Sequence, residues 1–85
     1  MLTEKKGNVL EVDIHGMRAD DAKRQLEFLI GRAGSNIREI VVIHGYSHGQ
    51  VLKQMVRTQL KHPRIESKLI SLNDGQTRIL IKPGK

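Results

Sequence analysis

Ile40-Val41-Val42-Ile43-His44-Gly45 decides how this chain folds. Four β-branched residues in a row read as a central strand covered on both faces, and the run stops at a histidine and a glycine. The same ending occurs earlier, at Ile14-His15-Gly16, where Leu10, Val12 and Ile14 alternate with Glu11, Asp13 and His15 as in a half-buried strand. That alternation places Asp13 and His15 on one side. The two histidines are 44 − 15 = 29 residues apart, about one strand-helix unit. Both are therefore expected at the carboxyl ends of neighbouring parallel strands, where open α/β sheets gather ligands.

Between and beyond these strands the apolar residues fall at helical spacing. From Ala19 to Ala33 the positions Ala22, Leu26, Leu29 and Ile30 form one stripe, Asp20 and Asp21 suit the positive helix start, and Gly34 suits the end. A second helix is expected from about Gly49 to Leu60, with Val51, Leu52, Met55, Val56 and Leu60 as its buried stripe, Ser47 and Gln50 as a capping box, and Pro63 beyond its end. Ile65 to Leu72 and Thr77 to Lys82 read as two further strands joined around Asp74-Gly75, a hairpin signal. The expected fold is an α/β two-layer sandwich of order βαβαββ, a four-stranded mixed sheet with two helices on one face. Residues 1–8 are expected as a flexible tail and residues 9–85 as a single domain. If Val41 and Ile43 face the helices, then Ile40 and Val42 face the bare side, to be covered by the tail, a dimer partner, or side chains such as Arg78 and Lys82.

Composition bounds the function. Eighty-five residues suit one modest core. The absence of cysteine leaves neither a disulfide framework nor a zinc-thiolate site. No apolar stretch approaches a membrane span, and the first eight residues lack the apolar core of a signal peptide, so a cytoplasmic location without membrane partners is the default expectation. Fifteen Lys and Arg against nine Asp and Glu give a formal charge of +6, which favours a polyanionic partner. Phe28 and Tyr46 are the only aromatics, so contact with nucleic acid must rest mainly on phosphates and shape rather than on several stacked rings.

Three stretches then resemble one family. Val12-Asp13-Ile14-His15-Gly16-Met17-Arg18, His44-Gly45-Tyr46-Ser47-His48-Gly49 and Leu72-Asn73-Asp74-Gly75-Gln76-Thr77 together resemble the small MutS-related (Smr) domain, over about residues 10–82. The resemblance implies a βαβαββ fold similar to the C-terminal domain of a translation initiation factor. It also implies nucleic acid binding, with DNA-nicking or RNA-cleaving endonuclease activity in a number of members. By motif, Asp13 and His15 match the family's Asp-Leu-His-Gly signature, while His44, Gly45 and Gly49 match its His-Gly-x-Gly signature. Ser47 stands where the second glycine of that motif is common, with His48 after it.

The chemistry assigns candidate roles. Asp13, His15 and His44 are the candidate catalytic residues: two imidazoles at neighbouring strand ends can supply acid and base, with Asp13 orienting His15 or holding Mg²⁺ through water. An RNA strand brings its own 2′-hydroxyl as nucleophile, whereas DNA hydrolysis would call for an ion such as Mg²⁺ or Mn²⁺, and no resident metal site is expected. The competing reading is that the histidines anchor the loops through backbone carbonyls and that Asp13 pairs with Arg18. Arg18, Gly45, Tyr46, Ser47, His48, Gly49, Lys53 and Arg57 are the candidate nucleic acid contacts. The second loop and the acid-free helix after it would cradle phosphate, Lys53, Arg57 and Lys61 would run onward as a basic stripe, and Tyr46 would stack on a base or pack as a lid. Arg78 is a further candidate phosphate contact. A nucleic-acid-binding domain follows, RNA slightly preferred over DNA, with phosphodiester cleavage as the leading activity. A non-catalytic module on RNA, DNA or a ribosomal surface is the alternative, as monomer or weak homodimer.

Overall fold

The computed structural model describes residues 1–46 and 50–83. In chain order it contains β1 (Leu2–Lys6), β2 (Val9–Asp13), α1 (Ala19–Arg32), β3 (Glu39–Ile43), α2 (Gln50–Gln54) continuing as a π-helical turn over Met55–Gln59, β4 (Ile65–Ile70) and β5 (Gln76–Ile81). The sheet order is β1-β2-β3-β5-β4, with β2 and β3 parallel and the other neighbours antiparallel. No described helix is long and apolar enough to cross a membrane.

The sheet has five strands where the sequence predicts four. Leu2–Lys6, expected within a flexible tail, pairs along β2 from Leu2↔Asp13 to Lys6↔Val9, and Gly7 turns the chain at φ +62°. All five side chains of β1 are exposed, so backbone hydrogen bonds hold the strand and no hydrophobic alternation advertises it.

Alternation along β3 settles which face the helices cover. Ile40 and Val42 point into the core and Val41 and Ile43 lie on the other side. Cross-strand register carries the same division through the sheet: Val12 pairs with Val42 and Val42 with Thr77, while Ile40 pairs with Ile79. Ala22, Leu26 and Ile30 of α1 and Leu52, Met55, Val56 and Leu60 of the second helical segment close this core from above. The open face carries Glu11, Val41, Arg78 and Leu69 in one transverse row. There Arg78 forks onto Glu39 at 2.7 and 3.0 Å, so its charge is shared with a carboxylate on the sheet's open face.

The second helix departs from the uninterrupted α-helix that its apolar spacing predicts. The Leu60 amide donates to the Met55 carbonyl at 2.8 Å, five residues back, and the Thr58 hydroxyl donates to the Gln54 carbonyl at 2.6 Å. The wide turn stacks Leu60 over Met55 and buries it, leaving Gln59 outside. Val51, expected in the buried stripe, is exposed. Two basic side chains close helix ends. Lys68 donates to the Leu60 carbonyl at 2.5 Å, and Arg64 donates to Ile30 and Ala33 carbonyls at 2.7 and 2.6 Å.

Candidate active site

Both Ile-His-Gly copies end strands at the same edge of the sheet, as their spacing predicts. The Ile14 amide donates to the Ile43 carbonyl at 2.9 Å, which continues the β2–β3 pairing to the first histidine. Gly16 and Gly45 both take left-handed backbone, at φ +80° and +85°, which is why each histidine is followed by a glycine. The two loops touch: a Cβ at Gly45 would lie 3.4 Å from Cβ of His15.

The two histidines then diverge. His15 is exposed, and its Nδ1 lies 2.5 Å from Asp13 Oδ1, which also accepts the His15 amide at 3.0 Å. A carboxylate only accepts, so the ring proton on this side sits on Nδ1 and the neutral ring offers a bare Nε2 to solvent. Burial raises the Asp13 carboxyl, but the hydrogen bonds from the His15 ring and backbone outweigh it and hold Asp13 below the usual carboxylate range. The competing partner for Asp13, Arg18, instead lies 3.5 Å from Asp20 on the exposed start of α1.

His44 is 1 % exposed. Its Nδ1 faces the Gly45 carbonyl at 3.3 Å and its Nε2 faces the Thr77 hydroxyl at 3.0 Å. The carbonyl can only accept, so Nδ1 carries the proton and Nε2 of the neutral ring accepts from Thr77. The Arg57 Nε–H, which can only donate, completes the chain at 3.2 Å by giving to the same hydroxyl. One direction of donation runs Arg57 to Thr77 to His44 to Gly45. Burial, with Arg57 and Lys53 nearby, lowers the His44 pKa and favours that neutral ring.

The remaining candidates separate by position. Arg57 is turned inward by the π-helical turn, and Lys53 is largely buried with its ammonium 3.5 Å from Asp74, so only Lys61 of the expected basic stripe is exposed. Tyr46 lies over Gly75, where a Cβ would come within 3.1 Å of the ring, and its hydroxyl donates to Asn73. The β4–β5 turn also accepts the His44 and Gly45 amides at the Gly75 carbonyl, 2.9 and 3.1 Å. Ser47, His48 and Gly49, with the expected capping box and phosphate cradle, lie outside the described residues.

Sequence reasoning missed Thr77 as a working side chain. It stands in the quoted hairpin stretch, yet its place beside His44 depends on β5 pairing with β3, which no local pattern reveals. No group of three His, Cys, Asp or Glu among the described residues comes together to hold a metal. Among the described residues Asp13 and the bare His15 nitrogen are the donors that come together, two where a protein-built cage needs more.

Comparison with known proteins identifies the family of the fold. A family model described as the Smr domain matches residues 12–78. The chain is 34 % identical over 87 aligned positions to "Endonuclease MutS2" of Solidesulfovibrio magneticus, covering 94 % of this chain and 11 % of that protein, so it spans about a tenth of that relative's length. The crystal structure of the Smr domain of Thermus thermophilus MutS2 superposes with a TM-score of 0.73 at 25 % identity, covering 86 % of this chain and 98 % of that one. With a family match across most of its length and the same α/β architecture, this chain belongs to the Smr domain family.

Proposed function

We propose that this domain binds nucleic acid and cleaves its phosphodiester backbone with the exposed Asp13–His15 pair. The observation that carries the reading is the geometry of that pair. Asp13 fixes the ring by accepting from Nδ1, so Nε2 stands in solvent as a proton acceptor, oriented before substrate arrives. On an RNA strand, Nε2 takes the 2′-hydroxyl proton as the oxygen attacks the adjacent phosphorus, and the resulting imidazolium is stabilised by Asp13. The proton can return to the leaving 5′-oxygen once the ring is charged. RNA is preferred over DNA because it carries that nucleophile. The relative named an endonuclease supports the reaction class, and the formal charge of +6 supports the polyanionic substrate.

His44 has a different role in this reading. With both ring nitrogens engaged inside the protein, it fixes the Gly45 backbone and hence the second loop, as a positioning residue. This observation also supports the second reading, a non-catalytic RNA or DNA module, because one accessible imidazole does less than two. The experiment incubates the protein with structured RNA and with supercoiled plasmid, in Mg²⁺, in Mn²⁺ and in chelator. Cleavage of RNA that persists in chelator and disappears in His15→Ala supports the proposal. Binding of both substrates with no cut under any condition supports the module and sinks the nuclease.

A further inference from the structure

We infer that the groove along α1, closed at one end by Met1, receives a single-stranded segment of the bound nucleic acid as it leaves the Asp13–His15 site, with a base stacked at Phe28. This rests on the nucleic acid reading above and adds a path and a contact to it. The groove encloses about 550 Å³ and runs from Met1 and Asp21 past Arg24 and Phe28 to Arg32. It begins beside the site. Leu2 is the register partner of Asp13, so Met1 stands next to the strand end that carries His15. From there residues 21, 24, 28 and 32 follow one side of α1 for about 16 Å, the rise of three turns.

The lining selects the occupant. Phe28, one of two aromatics in the chain, is 65 % exposed, on a helix whose buried stripe is complete without it. The Arg32 guanidinium lies over its ring, 5.1 Å from the centroid. An arginine stacked on an aromatic is a planar surface on which a base can lie, while its outer N–H groups reach phosphate. Arg24 shares its charge with Asp21, while Arg32 has no carboxylate partner among the described residues, which matches one backbone phosphate beside one stacked base. A strand that is mostly sugar and phosphate suits a groove edged by arginines, whereas an apolar helix or a second copy of the chain would strand those guanidiniums.

The test uses the whole chain and a labelled single-stranded RNA of roughly 12 nucleotides, the scale of single-strand sites. Phe28→Ala is expected to weaken binding by roughly 5- to 100-fold without changing the salt slope, since stacking involves no counterion. Arg32→Gln is expected to flatten that slope by about 0.7. An abasic nucleotide scanned along the strand should weaken wild type at one position and leave Phe28→Ala unaffected there. Phe28 is exposed, so the melting temperature of the variant should match wild type. Wild-type affinity in Phe28→Ala overturns the groove while leaving the nuclease reading intact. Loss of self-association in that variant, with RNA binding unchanged, overturns it in favour of a second copy. No RNA binding by wild type overturns both.

Discussion

Thr77 shows how much a single hydroxyl decides. Its one proton goes to His44 and its lone pair accepts from Arg57, so the His44 Nε2 and the Arg57 Nε–H both lose their partner without it. Thr77→Val, nearly isosteric, should destabilise the fold by roughly 1–3 kcal/mol in denaturant titration, the cost of orphaning buried polar groups, and Thr77→Ser should recover most of it. Gly45→Ala tests the backbone instead. At φ +85° an alanine costs roughly 1–2 kcal/mol and presses its methyl toward His15, so both the melting temperature and any cleavage rate should fall. His44 also sets a pH dependence. Its folded pKa lies below the unfolded value, so its contribution to stability is complete above about pH 6.5 and is lost as the unfolded chain gains a proton that the folded ring refuses. Denaturant midpoints should therefore fall as pH drops below 6.5, and His44→Asn should flatten that part of the profile.

The elements divide into those with patterns and those held by backbone alone. The strands β2 and β3, helix α1 and the hairpin announced themselves because burial on one face imposed a period on their residues. β1 did not, because Leu2-Thr3-Glu4-Lys5-Lys6 buries nothing. Removing residues 1–6 should leave the core folded but speed hydrogen exchange at the β2 amides that β1 now pairs, a local effect rather than global melting. The π-helical turn was also illegible. Met55, Val56 and Leu60 fit an α-helical stripe nearly as well, and only the Leu60 amide reaching Met55 shows the extra residue that turns Arg57 inward. The basic stripe over Lys53, Arg57 and Lys61 is divided for a second reason. Spacing places side chains on a face but does not say that β5 and its turn stand opposite that face, with Thr77 and Asp74 to meet them.

At the scale of the molecule, the site is assembled from three remote segments: the end of β2, the end of β3 and the β4–β5 turn. Sequence brought the first two together as facing loops and read the third only as a hairpin, because its place beside His44 depends on β5 pairing with β3. Their unequal chemistry depended on depth. His15 ends a strand beside the exposed start of α1, while His44 ends the central strand, beneath the turn that closes over it. The fold thus presents one imidazole to solvent and uses the other to hold the loop beside it.

That asymmetry is most directly tested by single-turnover RNA cleavage with His15→Gln and His44→Gln measured side by side, each with its melting temperature. The account predicts that His15→Gln melts like wild type and loses roughly 10²- to 10⁴-fold in rate, the usual contribution of a general acid or base. It predicts that His44→Gln loses stability and retains a measurable rate where it remains folded. Wild-type cleavage by folded His15→Gln would contradict the account.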